Sequence, residues 1–299
     1  MSNSQLNIIS VLLDWLEDNL DQRLLLDDVA AKAGFSKWYL QRMFKTITGR
    51  NLGGYTRERR LSQAAVALRL TRRSIFEIGY FYHFDSQQIF TRAFKRQFAQ
   101  TPGSYRCASN WRLAGLCPPI YLDLTRFPTP DFIVIPATRL IGVTKRYHST
   151  LEHFQDFVRR DLRTPLWHQY LQQGTPLSPL LYGLNRMLPS ETPRRNGDMT
   201  LYYTTAWPQG QLPEHLPSAS PVVLEGGTYA RFTYEGPAGG LQNFIMLVYK
   251  SSMPSLRLTR SQGPDIERFS FNSPIQYSTD YNIVCEYLIP IVEKDSYLS

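Results

Sequence analysis

Apolar positions recur at helical spacing through the first third of the chain and turn to strand-like alternation beyond it. Ile8, Val11, Leu12, Trp15, Leu16 and Leu20 mark an amphipathic opening helix. Asp27 precedes a short helix through Val29, Ala30 and Ala33, and Gly34 is a residue that turns with positive φ at no steric cost. Ser36 then caps a helix whose apolar stripe is Leu40, Met43, Phe44 and Ile47. From Tyr55 to Leu70 the period continues through Leu61, Ala64, Ala65 and Leu68, a connecting helix of roughly 24 Å, with Arg57, Arg59, Arg60 and Arg69 expected on its outer side. Ser74 caps a further short helix that buries Ile75, Ile78 and Phe81. After a turn at Tyr82 to Asp85, Ser86 caps a helix with Ile89, Phe90, Ala93, Phe94 and Phe98 as its apolar side.

A shift of fifty residues superposes two of these helices, Ser36 to Lys45 on Ser86 to Lys95. Opposite each apolar stripe lies a polar one: Trp38, Gln41, Arg42, Lys45 in the first copy and Gln88, Thr91, Arg92, Lys95 in the second. Such side chains donate hydrogen bonds to base edges and phosphates, so the repeat predicts two helix-turn-helix units joined by a linker helix, each with a helix for the major groove. The connecting helix is long enough to hold the two readers about one duplex turn apart, roughly 34 Å, so one monomer reads two adjacent segments. Trp38 lies on the polar stripe rather than beside Leu40 and Phe44, which favours groove exposure over core. Lys45, Lys95 and Arg96 lie further along their helices and are better placed for phosphate than for bases.

Pro118-Pro119 and Pro128-Thr129-Pro130 bracket a change of pattern, and the domains are expected at 1–117 and 118–299. Ile133 to Ile135, Leu140 to Tyr147 and Met199 to Ala206 read as strands, with Leu151 to Leu171 a helix between the second and third. Tyr229 to Tyr234 reads as a strand, Leu241 to Lys250 as a helix and Ile283 to Ile289 as a closing strand. The N-terminal part is therefore expected to be all-α. The C-terminal part is expected to be α+β, with a duplicated strand-helix-strand-strand unit and a pocket between the halves.

Charge sharpens the division. Residues 1–120 hold 17 Lys and Arg against 9 Asp and Glu, while residues 121–299 hold 16 of each, so the whole net charge of +8 belongs to the helical part. A positive field confined to one segment suits a protein that displaces counterions from a duplex. Cys107, Cys117 and Cys285 form no C-x-x-C pair and read as reduced thiols. With no signal-peptide pattern and no long apolar run, the chain is expected to be soluble and cytoplasmic, at the bacterial nucleoid. No metal-ligand spacing and no cofactor motif is present, and none is expected.

Residues 5–110 resemble the AraC/XylS transcriptional activators, through Ile75-x-x-Ile78-Gly79, Phe84-Asp85-Ser86-x-x-x-Phe90-x-Arg92-Ala93-Phe94-Lys95 and Thr101-Pro102-x-x-Tyr105-Arg106. The run Ala30 to Lys45 is similar to members that activate antibiotic and oxidative-stress resistance genes. That resemblance implies base contacts from Trp38, Gln41 and Arg42, and from Gln87, Gln88, Thr91 and Arg92. Lys37, Lys45, Lys95 and Arg96 complete the expected DNA-binding set, and RNA polymerase is an implied partner. Three positions depart from the usual pattern. Gly79 and His83 stand where alanine and glycine are more usual, and Ala99 stands where many members have glycine. Alanine is strained at a left-handed C-cap, so the second reading helix is expected to run on slightly.

Most of residues 130–292 resemble the GyrI-like effector-binding domain. The likeness rests on Gly226-Gly227-x-Tyr229-Ala230-x-Phe232, Gly236-Pro237, Gly263 to Phe269 and Cys285-Glu286-Tyr287-x-Ile289-Pro290. It implies that Glu267 faces an aromatic-lined cavity for lipophilic cations, with Trp167, Tyr182, Tyr229 and Tyr249 as walls. The blander alternative pairs Glu267 with Arg268 or Arg260 at the surface, and Asp265 reads as a turn residue.

Together these features predict a DNA-binding transcriptional activator of stress and drug-resistance genes whose C-terminal domain senses lipophilic or cationic small molecules. One competing reading is an architectural or origin-binding DNA protein without regulatory output. Another makes the C-terminal domain a small-molecule hydrolase. Against enzymatic activity stand the absence of a G-x-S-x-G elbow, of a Cys/His pairing and of metal-ligand spacing.

Overall fold

The computed structural model describes residues 3–122, 127–160, 162–163, 180–192, 197–211, 219–270 and 282–292. The chain divides into two compact units, Met1–Ala108 with Leu113–Arg126, and Ser109–Arg112 with Phe127–Ser299.

The first unit holds seven helices: α1 Asn3–Asp18, α2 Leu26–Ala33, α3 Lys37–Thr48, α4 Leu52–Leu70, α5 Ile75–Phe81, α6 Gln87–Phe98 and α7 Pro102–Cys107. Ile9, Leu12, Leu13 and Leu16 of α1 pack with Val29, Leu40, Phe44 and Tyr55 in one core. Val11, expected on that stripe, is instead 59% exposed, because the buried arc is centred one position on, at Ile9, Leu12, Leu13 and Leu16. Around α6 and α7 a second core forms from ring contacts of Phe90, Phe94, Phe98 and Tyr105. Gly34 ends α2 at φ 73°, and its N–H turns back to the carbonyls of Ala30 and Ala31. Ala99 does the same work at φ 58°, so α6 stops at Phe98 instead of running on. Packing of Phe98 into the aromatic core holds the alanine in a region that costs it energy.

The linker helix α4 begins three residues earlier than expected and spans about 28 Å. It is buried on most of its circumference, and its arginines are not all outside. Arg59 is buried, its Nε 2.7 Å and Nη2 2.6 Å from the two Glu17 carboxylate oxygens, while Nη1 donates to the Cys117 carbonyl. Tyr55 donates to the same carboxylate at 2.9 Å. Arg60 and Arg69 are half-buried and spend their donors on backbone carbonyls, Leu20 and Gln22 for the first, Tyr105, Arg106 and Ala108 for the second. Arg57 alone of the four matches the expected outward placement.

In the second unit, strands β2 Asp131–Ile135, β3 Thr138–Ser149, β4 Leu180–Pro189, β5 Met199–Pro208, β6 Ser220–Leu224, β7 Gly227–Pro237, β9 Asp265–Ser270 and β10 Asn282–Pro290 form one sheet. Their order is β2-β7-β10-β9-β4-β5-β3-β6, antiparallel throughout. A separate ribbon pairs β1 Trp111–Arg112 with β8 Thr259–Arg260. The expected duplication is visible in the order. β3 leads through α8 Phe154–Arg159 to β4 and β5, with β5 between β3 and β4. In the same way β7 leads through α9 Leu241–Leu247 to β9 and β10, with β10 between β7 and β9. The halves join where β4 meets β9.

Of the helix expected over Leu151 to Leu171, only Phe154–Arg159 is helical, as α8; Leu151 to His153 form a turn, Arg160, Leu162 and Arg163 lie outside any helix, and residues 161 and 164–171 lie outside the described residues. The helix expected to Lys250 changes at Val248 into a π turn that runs to Ser252. Asp265 is not a turn residue but the first residue of β9, and it is buried. Strands β4, β6 and β9 escaped the sequence reading, since short apolar runs carry no period that separates strand from helix.

Candidate nucleic-acid interface and effector site

Each candidate reading helix, α3 and α6, starts from a serine that fixes its entry angle. Ser36 Oγ accepts from the Tyr39 N–H at 3.3 Å and Ser86 Oγ from the Ile89 N–H at 3.2 Å. Leu40, Met43, Phe44 on α3 and Phe90, Ala93, Phe94 on α6 are buried, so the opposite stripes must face outward. Lys37, Gln41, Arg42 and Lys45 are exposed, and Trp38 is 65% exposed. Its ring has the Arg42 guanidinium 5.4 Å from its centre, which holds the two side chains together. Lys37 pairs with Asp27 of α2, a surface ion pair. On α6, Gln87, Gln88, Arg92, Lys95 and Arg96 are exposed and Thr91 is half-buried.

Ile89 departs from expectation. It is 46% exposed, at the position equivalent to Tyr39, and it lines a cleft of about 610 Å³ between the two helix-turn-helix units. Gln41, Arg57, Arg92 and Arg96 line the same cleft, so α4 and α6 bring arginines, and α3 an amide, to one concavity. Arg57 was missed as a site residue because only tertiary packing tells it apart from Arg59 and Arg60 on one helix. His83 at φ 60° donates from Nε2 to the Asp21 carbonyl at 2.7 Å, tying the turn before α6 to the end of the first unit's opening segment.

In the second unit, Glu267 is 0% exposed and sits on the central strand pair, opposite Gly183. A methyl group at Gly183 would meet the Tyr203 hydroxyl and come within 2.6 Å of Glu267 Oε2, so glycine is what leaves room for the carboxylate. Neither Arg268 nor Arg260 is its partner. Arg268 pairs with Glu286, and Arg260 with Asp265. Glu267 is gripped by Arg163, whose Nε lies 2.8 Å from Oε2 and whose Nη2 donates to Oε1. Tyr203 donates to Oε2 at 2.7 Å. Arg163 also donates from Nη1 to Gln242 of α9 at 2.7 Å. Burial and then the adjacent Glu267 carboxylate push the Tyr203 phenol well above its ordinary range. Burial works to lower Arg163, and the Glu267 carboxylate overrides it, leaving the guanidinium more firmly charged.

The expected aromatic walls divide. Register pairs Tyr182 with Arg268 and Tyr229 with Pro290, one position out of phase with Glu267, so both point to the other face of the sheet. There they join the core of Leu184, Ile266 and Leu288. Tyr249 is on the Glu267 side but donates to Asp265 at 2.6 Å, beside Tyr287 at 2.7 Å. Trp167 lies outside the described residues. Tyr287, directly opposite Glu267, and Tyr203, two residues from the Thr205 that pairs with Gly183, share its face instead, and alternation counted from Gly183 would have found them.

Among the described residues no helix is long and apolar enough to cross a membrane, and no group of three or more His, Cys, Asp or Glu is arranged for a metal ion. All three cysteines are unpaired thiols.

Comparison with known proteins supports both halves. A helix-turn-helix domain family matches residues 29–108, and the GyrI-like small molecule binding domain family matches residues 128–292. The chain is 50% identical over 289 residues to the transcriptional regulator Rob of Salmonella typhimurium, covering 96% of this chain and 99% of that one. It is 48% identical over 294 residues to the right origin-binding protein of Escherichia coli, again covering 96% and 99%. The regulatory protein SoxS of Salmonella typhimurium is 52% identical over 106 residues, 36% of this chain and 97% of SoxS. With α3 and α6 presenting matched polar stripes and Glu267 on the joined halves of a duplicated sheet, the chain belongs to the AraC-type helix-turn-helix regulators that carry a GyrI-like small molecule binding domain.

Proposed function

We propose that this protein is a transcriptional activator of stress and drug-resistance genes that binds double-stranded DNA as a monomer, with α3 and α6 in two successive major-groove segments. The observation that carries this reading is the pair of serine-capped helices in one compact unit with outward stripes at equivalent positions, Trp38, Gln41, Arg42 and Lys45 on α3 and Gln88, Thr91, Arg92 and Lys95 on α6. Gln41, Arg42, Gln88, Thr91 and Arg92 read base edges, and Trp38 packs on a thymine methyl or sugar. Gln87 joins the base readers, and Lys37, Lys45, Lys95 and Arg96 anchor to phosphates. The cleft lined by Arg57, Arg92 and Arg96 accepts the backbone that runs between the two grooves. Activation follows by contact with RNA polymerase at the bacterial nucleoid in the cytoplasm. Genome-wide mapping of bound sites tests this. Sites beside promoters, with transcripts that fall when the protein is removed, are expected; sites without transcript changes mean an architectural protein instead.

Glu267 is the ligand-recognising group of the second unit, for lipophilic or cationic small molecules. A carboxylate held in a water-free, aromatic setting attracts a delocalised cation that carries little hydration of its own. Tetraphenylphosphonium titrated against the protein and against Glu267→Gln, followed by heat, is expected to lose roughly 1 to 3 kcal/mol in the variant. Equal affinity for both removes Glu267 from the site. Incubation of candidate compounds without turnover is the expected outcome against a hydrolase.

A further inference from the structure

Glu267 is fully buried, yet it does not await a cation. Arg163 already satisfies both its oxygens in a fork, Gln242 holds the third arm of the guanidinium, and the Tyr203 ring centre lies 5.9 Å from the guanidinium carbon. Carboxylate, aromatic face and exclusion of water are the features expected of a site for a delocalised cation, and a guanidinium is such a cation. Arg163 follows α8 and lies outside the sheet, whereas Glu267, Gly183 and Tyr203 belong to its central strands.

We propose that Arg163 is a built-in occupant of the cation site, so that ligand and Arg163 compete for one carboxylate and binding displaces the Arg163 guanidinium from Glu267. This rests on the ligand reading of Glu267 given above and adds its regulation. A tethered competitor acts at an effective concentration of millimolar or more, and it raises the apparent Kd of every ligand by the factor it occupies the site. Small hydrated ions cannot displace it, because they gain no apolar burial. A flat or bulky lipophilic cation can, because its buried area replaces what the stem of Arg163 contributed.

Arg163→Ala leaves Glu267 buried without a counter-charge, which destabilises the fold and creates a vacancy the size of a guanidinium. The expected result is that propylguanidinium raises the melting temperature, or restores the folded fraction, of Arg163→Ala in a saturable way. It has no such effect on the unaltered protein or on Arg163→Ala/Glu267→Gln. Tetraphenylphosphonium is expected to bind Arg163→Ala roughly tenfold tighter than the unaltered protein, the equivalent of about 1.4 kcal/mol. The double variant is neutral at the site, and its folding shows that the loss in the single variant comes from the charge. Absence of any propylguanidinium rescue together with equal tetraphenylphosphonium affinity in both proteins overturns the inference while leaving the ligand reading in place. Rescue by propylguanidinium with no tetraphenylphosphonium binding to any form supports the built-in occupant and overturns the assigned ligand class.

Discussion

At the scale of single residues, position on a helix decides the role of a basic side chain. Arg42 sits nearly two turns after the capping serine, against the exposed ring of Trp38, where the proposed docking would bring it to base edges. Arg42→Ala is expected to lose about 1 to 3 kcal/mol on a specific site and to relax base preference at one position. Lys95 lies further along α6, and Lys95→Ala should weaken specific and random duplex alike; gel-shift titrations on both duplexes separate the two behaviours. Arg59 shows the opposite use of the same chemistry. Its guanidinium is buried against Glu17, so Glu17→Ala leaves a charge without its partner and is expected to cost about 3 to 5 kcal/mol of stability. Urea denaturation measures that loss, and a change under 1 kcal/mol would mean Arg59 finds a new partner. Nothing in the spacing of Arg57, Arg59 and Arg60 separates these roles, because a helix packed on most sides has no polar face to read.

At the scale of elements, local chemistry sets where the helices begin. α5 opens with a reciprocal capping box in which Ser74 Oγ accepts from the Glu77 N–H at 3.1 Å and Glu77 accepts from the Ser74 N–H at 2.7 Å. Ser74→Ala should cost about 1 kcal/mol. The hydrogen bonds from Ser74 hold the Glu77 carboxyl below its ordinary 4.5. A carboxylate lowered by folding stabilises above its unfolded value, and that contribution disappears as pH falls from 4.5 through the lowered value. Thermal melts of the protein and of Glu77→Gln should therefore converge below that window and stay apart above it. Helix starts at Ser36, Ser74 and Ser86 were legible because a cap needs one side chain and one N–H three residues away. Helix ends were less so. Ala99 takes the left-handed conformation that propensity argues against, because the aromatic packing of Phe94, Phe98 and Tyr105 outweighs the local strain. Strand β9 was hidden inside a motif whose Gly and Asp suggested a turn.

At the scale of the whole molecule, the chain leaves its first unit after Ala108, contributes Ser109–Arg112 to the second, and returns with Leu113–Arg126 before the second unit proper begins. The returning segment is structural: the Cys117 N–H donates to Ser62 Oγ at 2.8 Å, the Cys117 carbonyl accepts from Arg59, and Ile120 packs on the core of the first unit. A fragment of residues 1–126 is expected to bind DNA with an affinity that falls steeply with salt, since the net positive charge lies within it. A fragment of residues 1–108 should melt lower, by an amount matching about 1 to 3 kcal/mol for each buried donor left unpaired, and calorimetry of the two checks this. Identical melting would mean the returning segment is held from elsewhere. The sequence by itself determined the two all-α reading units, the duplicated α+β layer and the outward stripes. Each of these follows from a repeat of apolar positions or a cap, which are local and periodic. Tertiary structure alone decided which arginine is buried, which face of the sheet each tyrosine takes, and that Arg163, 104 residues from Glu267 in the chain, supplies its counter-charge. Such pairings depend on strand register and on how distant segments pack, and no period along the chain encodes them.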